Sequence, residues 1–230
     1  MLIIADHRLP EEAKSTLRKV GELLEFKTSG VVYDAISGHP DIFICQTPQK
    51  LILSPQTPRP FVENLIKHSV KFTYGRKDTG FNHPETTHYN AVADSEYLVH
   101  NLNFTDEKIL QAFDNSKRIH INQGYTRCNL LDLGNNHFIT SDEGIYKTLK
   151  SRFNILYVSP QGILLKNFEH GFIGGTAGVW RNKVYFAGSL KYFPEGNKVA
   201  EFLHDLNLEI IELYDGQLID GGGIFFCDDD

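Results

Sequence analysis

Five times along this chain a short apolar strand leads through a turn to a second apolar strand, an amphipathic helix and a third strand. The first strands start at Asp41, Asn90, Cys128, Gly175 and Gly222, at intervals of 49, 38, 47 and 47 residues. The fifth copy ends after its first strand. Its missing return strand, helix and closing strand stand at the other end of the chain, in residues 2–27. Placed end to start, GIFFCDDD followed by MLIIADHR reads like the DIFICQTPQKLILS of residues 41–54. Repeats of this length are supersecondary units that stack or ring an axis to bury a shared core. An all-β propeller, with about 40–45 residues per blade, leaves no place for five helices, and WD and kelch signatures are absent. The expectation is one domain, residues 1–230, built as a five-bladed α/β propeller whose ring is closed by pairing the N- and C-terminal segments.

Within that frame the local signals are specific. Strands are expected at residues 2–5, 41–45, 51–53, 70–74, 90–94, 97–100, 118–121, 128–132, 137–140, 155–158, 175–179, 184–187 and 208–213. Pro10 is placed as the first helical residue of a helix over residues 11–25, with Ala13, Leu17, Val20 and Leu24 on one face. Pro60 opens the next helix, through Lys67, with Phe61 and Leu65 inward. Thr105 and Ser141 are expected as caps of the third and fourth, and Pro194 starts the fifth. Acids Asp142 and Glu143 fall in a first turn, where the helix dipole favours them.

Composition narrows the partners. A formal charge of −6 with no Lys/Arg run argues against nucleic acid and suits a cationic small molecule or a basic partner. The start has no basic region and an apolar run of three residues, unlike a signal peptide. No stretch reaches membrane-span length. A cytoplasmic protein is expected. Cys45, Cys128 and Cys227 are too scattered for a disulfide framework or a zinc site. His83 and His88 lack a third ligand at useful spacing, so neither metal nor cofactor is expected.

Chemistry-bearing residues cluster at the heads of the first strands, which the topology would bring to one axial mouth. Gly221, Gly222 and Gly223 precede a strand that carries Cys227; glycine there permits positive φ or close approach. His39 is held extended by Pro40, just before Asp41. Arg127 is a charge at a strand head and needs a partner: Asp41, Asp220 or an anionic ligand. Asn90 and Asp220 lie at corresponding heads. Glu169 and His170 precede the glycines 171, 174, 175 and 178, whose spacing is not that of a dinucleotide fingerprint. Asp228–Asp230 reads as a solvated turn joining the last strand to Leu2.

The repeats, the QGYTRC of residues 123–128, the SDEGI of 141–145, the GFIGGTAG of 171–178 and the LIDGGG of 218–223 resemble the pentein, or guanidino-group-modifying-enzyme, fold. They look closest to a bacterial branch of it with no established function. The resemblance implies a Cys thiolate attacking an amidino carbon, a His as acid and base, and carboxylates holding the N–H donors. It assigns Cys227 as nucleophile, His39 or His170 as base, and Asp41 and Asp220 as the acids; Asn90 and Arg127, from their places at strand heads, are expected to bind the ligand with them. The sequence departs from the pattern in two places. Phe226 stands where a His is usual, and Tyr125-Thr126-Arg127 stands where the enzymes carry His-x-Asp. Cys45 also reads as the first copy's counterpart of Cys227. Two functions follow: binding of a small polar, guanidino- or amidino-like ligand or a protein partner at the axial mouth without catalysis, or a Cys227-dependent amidino hydrolase or amidinotransferase.

Overall fold

A computed structural model describes residues 1–228. It consists of five three-stranded sheets, the blades of an α/β propeller. In the first blade the inner strand Ile44–Gln46 runs antiparallel to Leu51–Leu53, which pairs in parallel with Phe72–Tyr74. The second holds Val92–Ala93, Leu98–His100 and Arg118–His120. The third holds Leu130–Asp132, His137–Thr140 and Asn154–Tyr157. The fourth holds Ala177–Trp180, Lys183–Phe186 and Glu209–Glu212. In each the parallel step is crossed by a helix, as a parallel pair requires: Arg59–Lys67, Glu107–Gln111, Glu143–Leu149 and Gly196–Asp205.

The fifth blade is made from both ends of the chain. Phe225–Cys227 pairs antiparallel with Leu2–Asp6, with Leu2 opposite Cys227, and Leu2–Asp6 pairs in parallel with Glu22–Phe26. Phe226 seals the closure between the Trp180 and Tyr185 rings, 6.1 and 4.8 Å away. Return strands sit at the middle of each sheet and read as continuous apolar runs; Ile3, Ile4, Ile52 and Val99 have no exposed surface. Apolar clusters then fill the spaces between blades, as where Phe26, Phe43 and Phe61 meet beside Leu65.

Several local expectations are corrected. The first helix is Glu11–Arg18, with Pro10 as its N-cap, because Leu24 belongs to the closing strand and turns into the first blade's core. Asp106 and Asp142, rather than Thr105 and Ser141, cap their helices: their carboxylates accept Lys108 N and Ile145 N at 2.7 and 2.8 Å. A carboxylate is the stronger acceptor at a helix N-terminus. Asp106 also accepts the amides of Arg76 and Lys77, which pins the start of the polar loop 75–88. Residues 41 and 128 fall in one-turn helices, Pro40–Ile42 and Thr126–Asn129, and not in the strands expected to begin there. Most of the turn expected over Asp228–Asp230 lies outside the described residues. Among the described residues no helix is long and apolar enough to cross a membrane.

Candidate functional site

The heads of the inner strands meet on the propeller axis. Asn90 donates from Nδ2 to the Asp41 carbonyl at 3.3 Å and lies 3.3 Å from Cys128 Sγ. The Cys128 amide donates to Asn90 Oδ1 at 3.2 Å, and the Cys128 thiol donates to Asp41 Oδ2 at 2.9 Å. These side chains point inward because single helical turns, not pleated strands, carry residues 41 and 128. The other two blades contribute glycine for lack of room. A Cβ on Gly175 would overlap the Asp220 carboxylate, and one on Gly222, at φ +71°, would meet His39 Cβ and Asp41 Oδ1.

Beside this cluster His39 lies between two carboxylates, with Nε2 3.9 Å from Asp6 Oδ2 and Nδ1 3.8 Å from Asp220 Oδ1. Neither ring nitrogen has a hydrogen-bond partner, nor has Asp41 Oδ1. Asp6 is compensated by Arg8, whose Nε and Nη2 donate to Oδ1 and Oδ2 at 3.0 and 2.5 Å. Asp220 accepts the amides of Phe172 and Gly222. Among the described residues neither Asp41 nor Asp220 is paired with a Lys or Arg.

Burial dominates the electrostatics. It pushes the Asp41 carboxyl up to about 6, against the Cys128 hydrogen bond and the charge of Arg127. It pushes Asp220 up to about 6 as well, with His39 pulling down and Asp41 pushing further up. The Cys128 thiol is held well above its ordinary value by burial and by the negative charges of Asp41 and Asp220. Burial lowers His39, although Asp220 and Asp6 pull the other way. At neutral pH the cluster is therefore a protonated thiol and a neutral imidazole beside carboxylates that lack a cation.

Three loops roof this end. The Tyr125 hydroxyl is 2.6 Å from Thr86 Oγ1, and Tyr33 packs on the same roof beside Phe81 and Phe168. The Phe81 and Phe168 rings, 56% and 52% exposed, stand 6.3 and 6.0 Å from Tyr33. A pocket of about 210 Å³ reaches Asp6 and Asp220 from the side, between Ala35 and residues 164–166. The Lys166–Asp34 ion pair, at 2.7 Å, spans those two loops.

The structure thus gathers His39, Asp41, Asn90 and Asp220. Arg127 adjoins them, with its guanidinium donating to the carbonyls of Gly174 and Ala177 at 2.6 and 3.3 Å and not to either acid. Cys227 lies in the apolar cluster with Leu2, Ile4, Phe43 and Phe225. His170 is half-buried against its own neighbours Gly171 and Phe172. His83 packs its ring on Phe104, while His88 Nδ1 bonds the Phe104 carbonyl at 2.7 Å.

One equivalence is corrected. Phe226 faces Ile3 as Cys45 faces Ile52, and Cys227 faces Leu2 as Gln46 faces Leu51. Cys45 and Cys227 are therefore one register apart and face opposite sides of their sheets. Cys128, Asp6, Tyr33 and Tyr125 were not singled out as functional from the sequence. Cys128 alone left a signal: it heads the third inner strand.

A five-bladed α/β propeller of this kind is the pentein fold. Residues 4–225 match the model of a Family of unknown function (DUF6873), and the chain belongs to that family. Among curated proteins none matches its sequence. Solved structures similar to it include DDAH from Pseudomonas aeruginosa complexed with citrulline, at 13% identity and TM-score 0.54 over 92% of this chain and 91% of that one. An amidinotransferase from Microseira wollei is similar at 11% identity and TM-score 0.53, over 91% and 87% of the two chains. The inosamine-phosphate amidinotransferase of Streptomyces griseus is similar at 9% identity and TM-score 0.52, over 91% and 79%.

Proposed function

We propose that the cluster at the inner-strand heads binds a small cation carrying planar N–H donors, an amidinium or guanidinium group, without turning it over. One observation carries this reading: among the described residues Asp41 and Asp220 are buried together with no Lys or Arg partner, while Asp41 Oδ1 and both His39 nitrogens have no hydrogen-bond partner. Buried charges of one sign are costly until an opposite charge joins them. A planar amidinium fits the two-oxygen faces of carboxylates. The similar structures add support, since two are amidinotransferases and a third holds citrulline. The three thiols Cys45, Cys128 and Cys227 favour a reducing compartment, the cytoplasm. Agmatine, arginine and acetamidine are the probes for calorimetric titration at pH 7.5. At least one is expected to bind, and Asp220→Asn to weaken it about tenfold or more, the scale of a lost charge-assisted contact. No binding by the wild-type protein, or equal binding by the variant, defeats the proposal.

A second reading, a thiol-dependent amidino hydrolase or amidinotransferase, draws on the Cys128 Sγ to Asp41 Oδ2 distance of 2.9 Å. It moves the nucleophile from Cys227, in its apolar cluster, to Cys128 among the acids. A cation seated beside the thiol would lower its pKa toward the reactive range. Peptide mapping after chloroacetamidine treatment separates the readings. Under the binding reading Cys128 stays unlabelled in protein that binds agmatine. Labelling of Cys128 that agmatine blocks, with an amidino-hydrolase activity lost in Cys128→Ala, would establish the enzyme.

A further inference from the structure

We propose that the opposite end of the axis is a second site, for a small carboxylate anion held by Arg127 and Arg181. The far ends of the inner strands enclose a pocket of about 330 Å³ to which every blade contributes, among others through Gln46, Ala93, Leu131, Val179 and Phe225. Arg127 and Arg181 both line it. Arg127 is seated there by the fold. Its stem leaves the one-turn helix beside Cys128, and its guanidinium packs over the Phe225 ring at 5.3 Å. The head group fits because position 223 is glycine, at φ +78°; a Cβ there would meet Arg127 Nη2.

The two guanidinium groups and the two carboxylates of the wall, Asp94 and Asp132, balance in formal charge, so it is the unused N–H donors that favour an anion. A guanidinium has five N–H donors, and Arg127 uses two, both on uncharged carbonyls, those of Gly174 and Ala177. Among the described residues no carboxylate comes within ion-pair distance of Arg127 or Arg181. The two acids in the wall are already engaged. Asp132 accepts the Tyr97 hydroxyl at 3.1 and 3.2 Å and the Gly134 amide at 2.9 Å. Asp94 accepts Ser95 Oγ and the Glu96 amide, both at 3.0 Å. Arg181 lies at the rim with its guanidinium 4.4 Å over the Trp180 ring. Two guanidinium forks with spare donors therefore face one small pocket, and the group that fits a fork in two parallel hydrogen bonds is a carboxylate. The pocket, at about 330 Å³, leaves room for a short mono- or dicarboxylate.

Malonate is the probe, titrated calorimetrically at constant ionic strength against chloride and inorganic phosphate. The chain has one tryptophan, and Trp180 stacks under Arg181, so its fluorescence reports occupancy of the rim. Saturable malonate binding is expected, tighter than phosphate, accompanied by a fluorescence change that chloride does not produce. Arg127→Gln is expected to weaken malonate about tenfold or more and Arg181→Gln about threefold or more, the scale of one lost bidentate contact inside the pocket and one at its rim. Arg127→Gln is read only if its thermal unfolding remains cooperative; Arg181→Gln, at the surface, carries the test otherwise. Unchanged affinity in both folded variants, phosphate binding as tight as malonate, or a response matched by chloride overturns the proposal. Each result is independent of whether agmatine binds at the other end.

Discussion

At pH 8, Asp41→Asn is expected to make the protein more stable while abolishing its affinity for an amidinium ligand. Asp41 has no exposed surface, and burial raises its carboxyl to about 6 from an ordinary 3.8. A carboxyl raised on folding stabilises the fold while it is protonated. That contribution is whole below about pH 4 and is lost as pH rises through about 6. A gap of about two pKa units corresponds to roughly 3 kcal/mol, so ionised Asp41 weighs against the wild-type fold at pH 8. Asparagine is neutral at every pH. Its Oδ1 can accept the Cys128 thiol, and its amide N–H can face the Asp220 carboxylate. Urea unfolding at pH 8 is expected to give the variant a gain of about 2 kcal/mol, shrinking to nothing by pH 4.5. His39 bends the wild-type curve in the other direction. Its lowered pKa means that its share of stability is whole above its ordinary 6.5 and is lost as pH falls from there through its lowered folded value. Stability exchanged for binding is the mark of a site built to receive charge. A variant less stable than wild type at pH 8 would show that Asp41 is held by contacts and not strained by its charge.

How far the sequence was legible depends on range. The period of the apolar strands and the two half-copies at the chain ends determine a closed five-bladed ring, since the inner edge of Leu2–Asp6 is paired by Phe225–Cys227. The interval arithmetic even marked the axial residues: Asp41, Asn90 and Cys128 are strand heads, and they touch. Side-chain direction was not legible. A one-turn helix at residues 126–129 turns Cys128 inward and sends Arg127 toward the far pocket, and no local pattern separates that turn from the start of a strand. Register failed for the same reason. Shifting by one residue exchanges the two faces of a strand, which is how Cys45 came to stand for Cys227. Asp6 was invisible because its role arises only when the first strand is laid beside His39, 33 residues further on.

Gly175→Ala is expected to be strongly damaging although its backbone suits alanine. The added Cβ would lie on the Asp220 carboxylate, and Asp220 has nowhere to go. Its amide donates to the Leu164 carbonyl at 2.9 Å, while its carboxylate accepts Phe172 N at 3.0 Å and Gly222 N at 3.1 Å. Gly175 is equally fixed, since its carbonyl accepts the amides of Gly221 and Gly223 at 3.0 and 2.8 Å. Relief requires breaking part of this network, and overpacking together with a lost buried hydrogen bond costs about 3 kcal/mol or more. Gly134→Ala is the control. Gly134 has φ +78° with open space around it, so its cost is the left-handed backbone alone, about 1 kcal/mol. Thermal unfolding should therefore rank Gly175→Ala well below Gly134→Ala, although only the latter position has a conformation that disfavours alanine. A double variant tests the cause. If the clash is with Asp220, then Asp220→Ala should cost much less in the Gly175→Ala background than in wild type, because removing the carboxylate vacates the space the methyl needs. Strictly additive losses would mean that Gly175 is required by the close passage of the backbone at residues 221–223, and not by the acid.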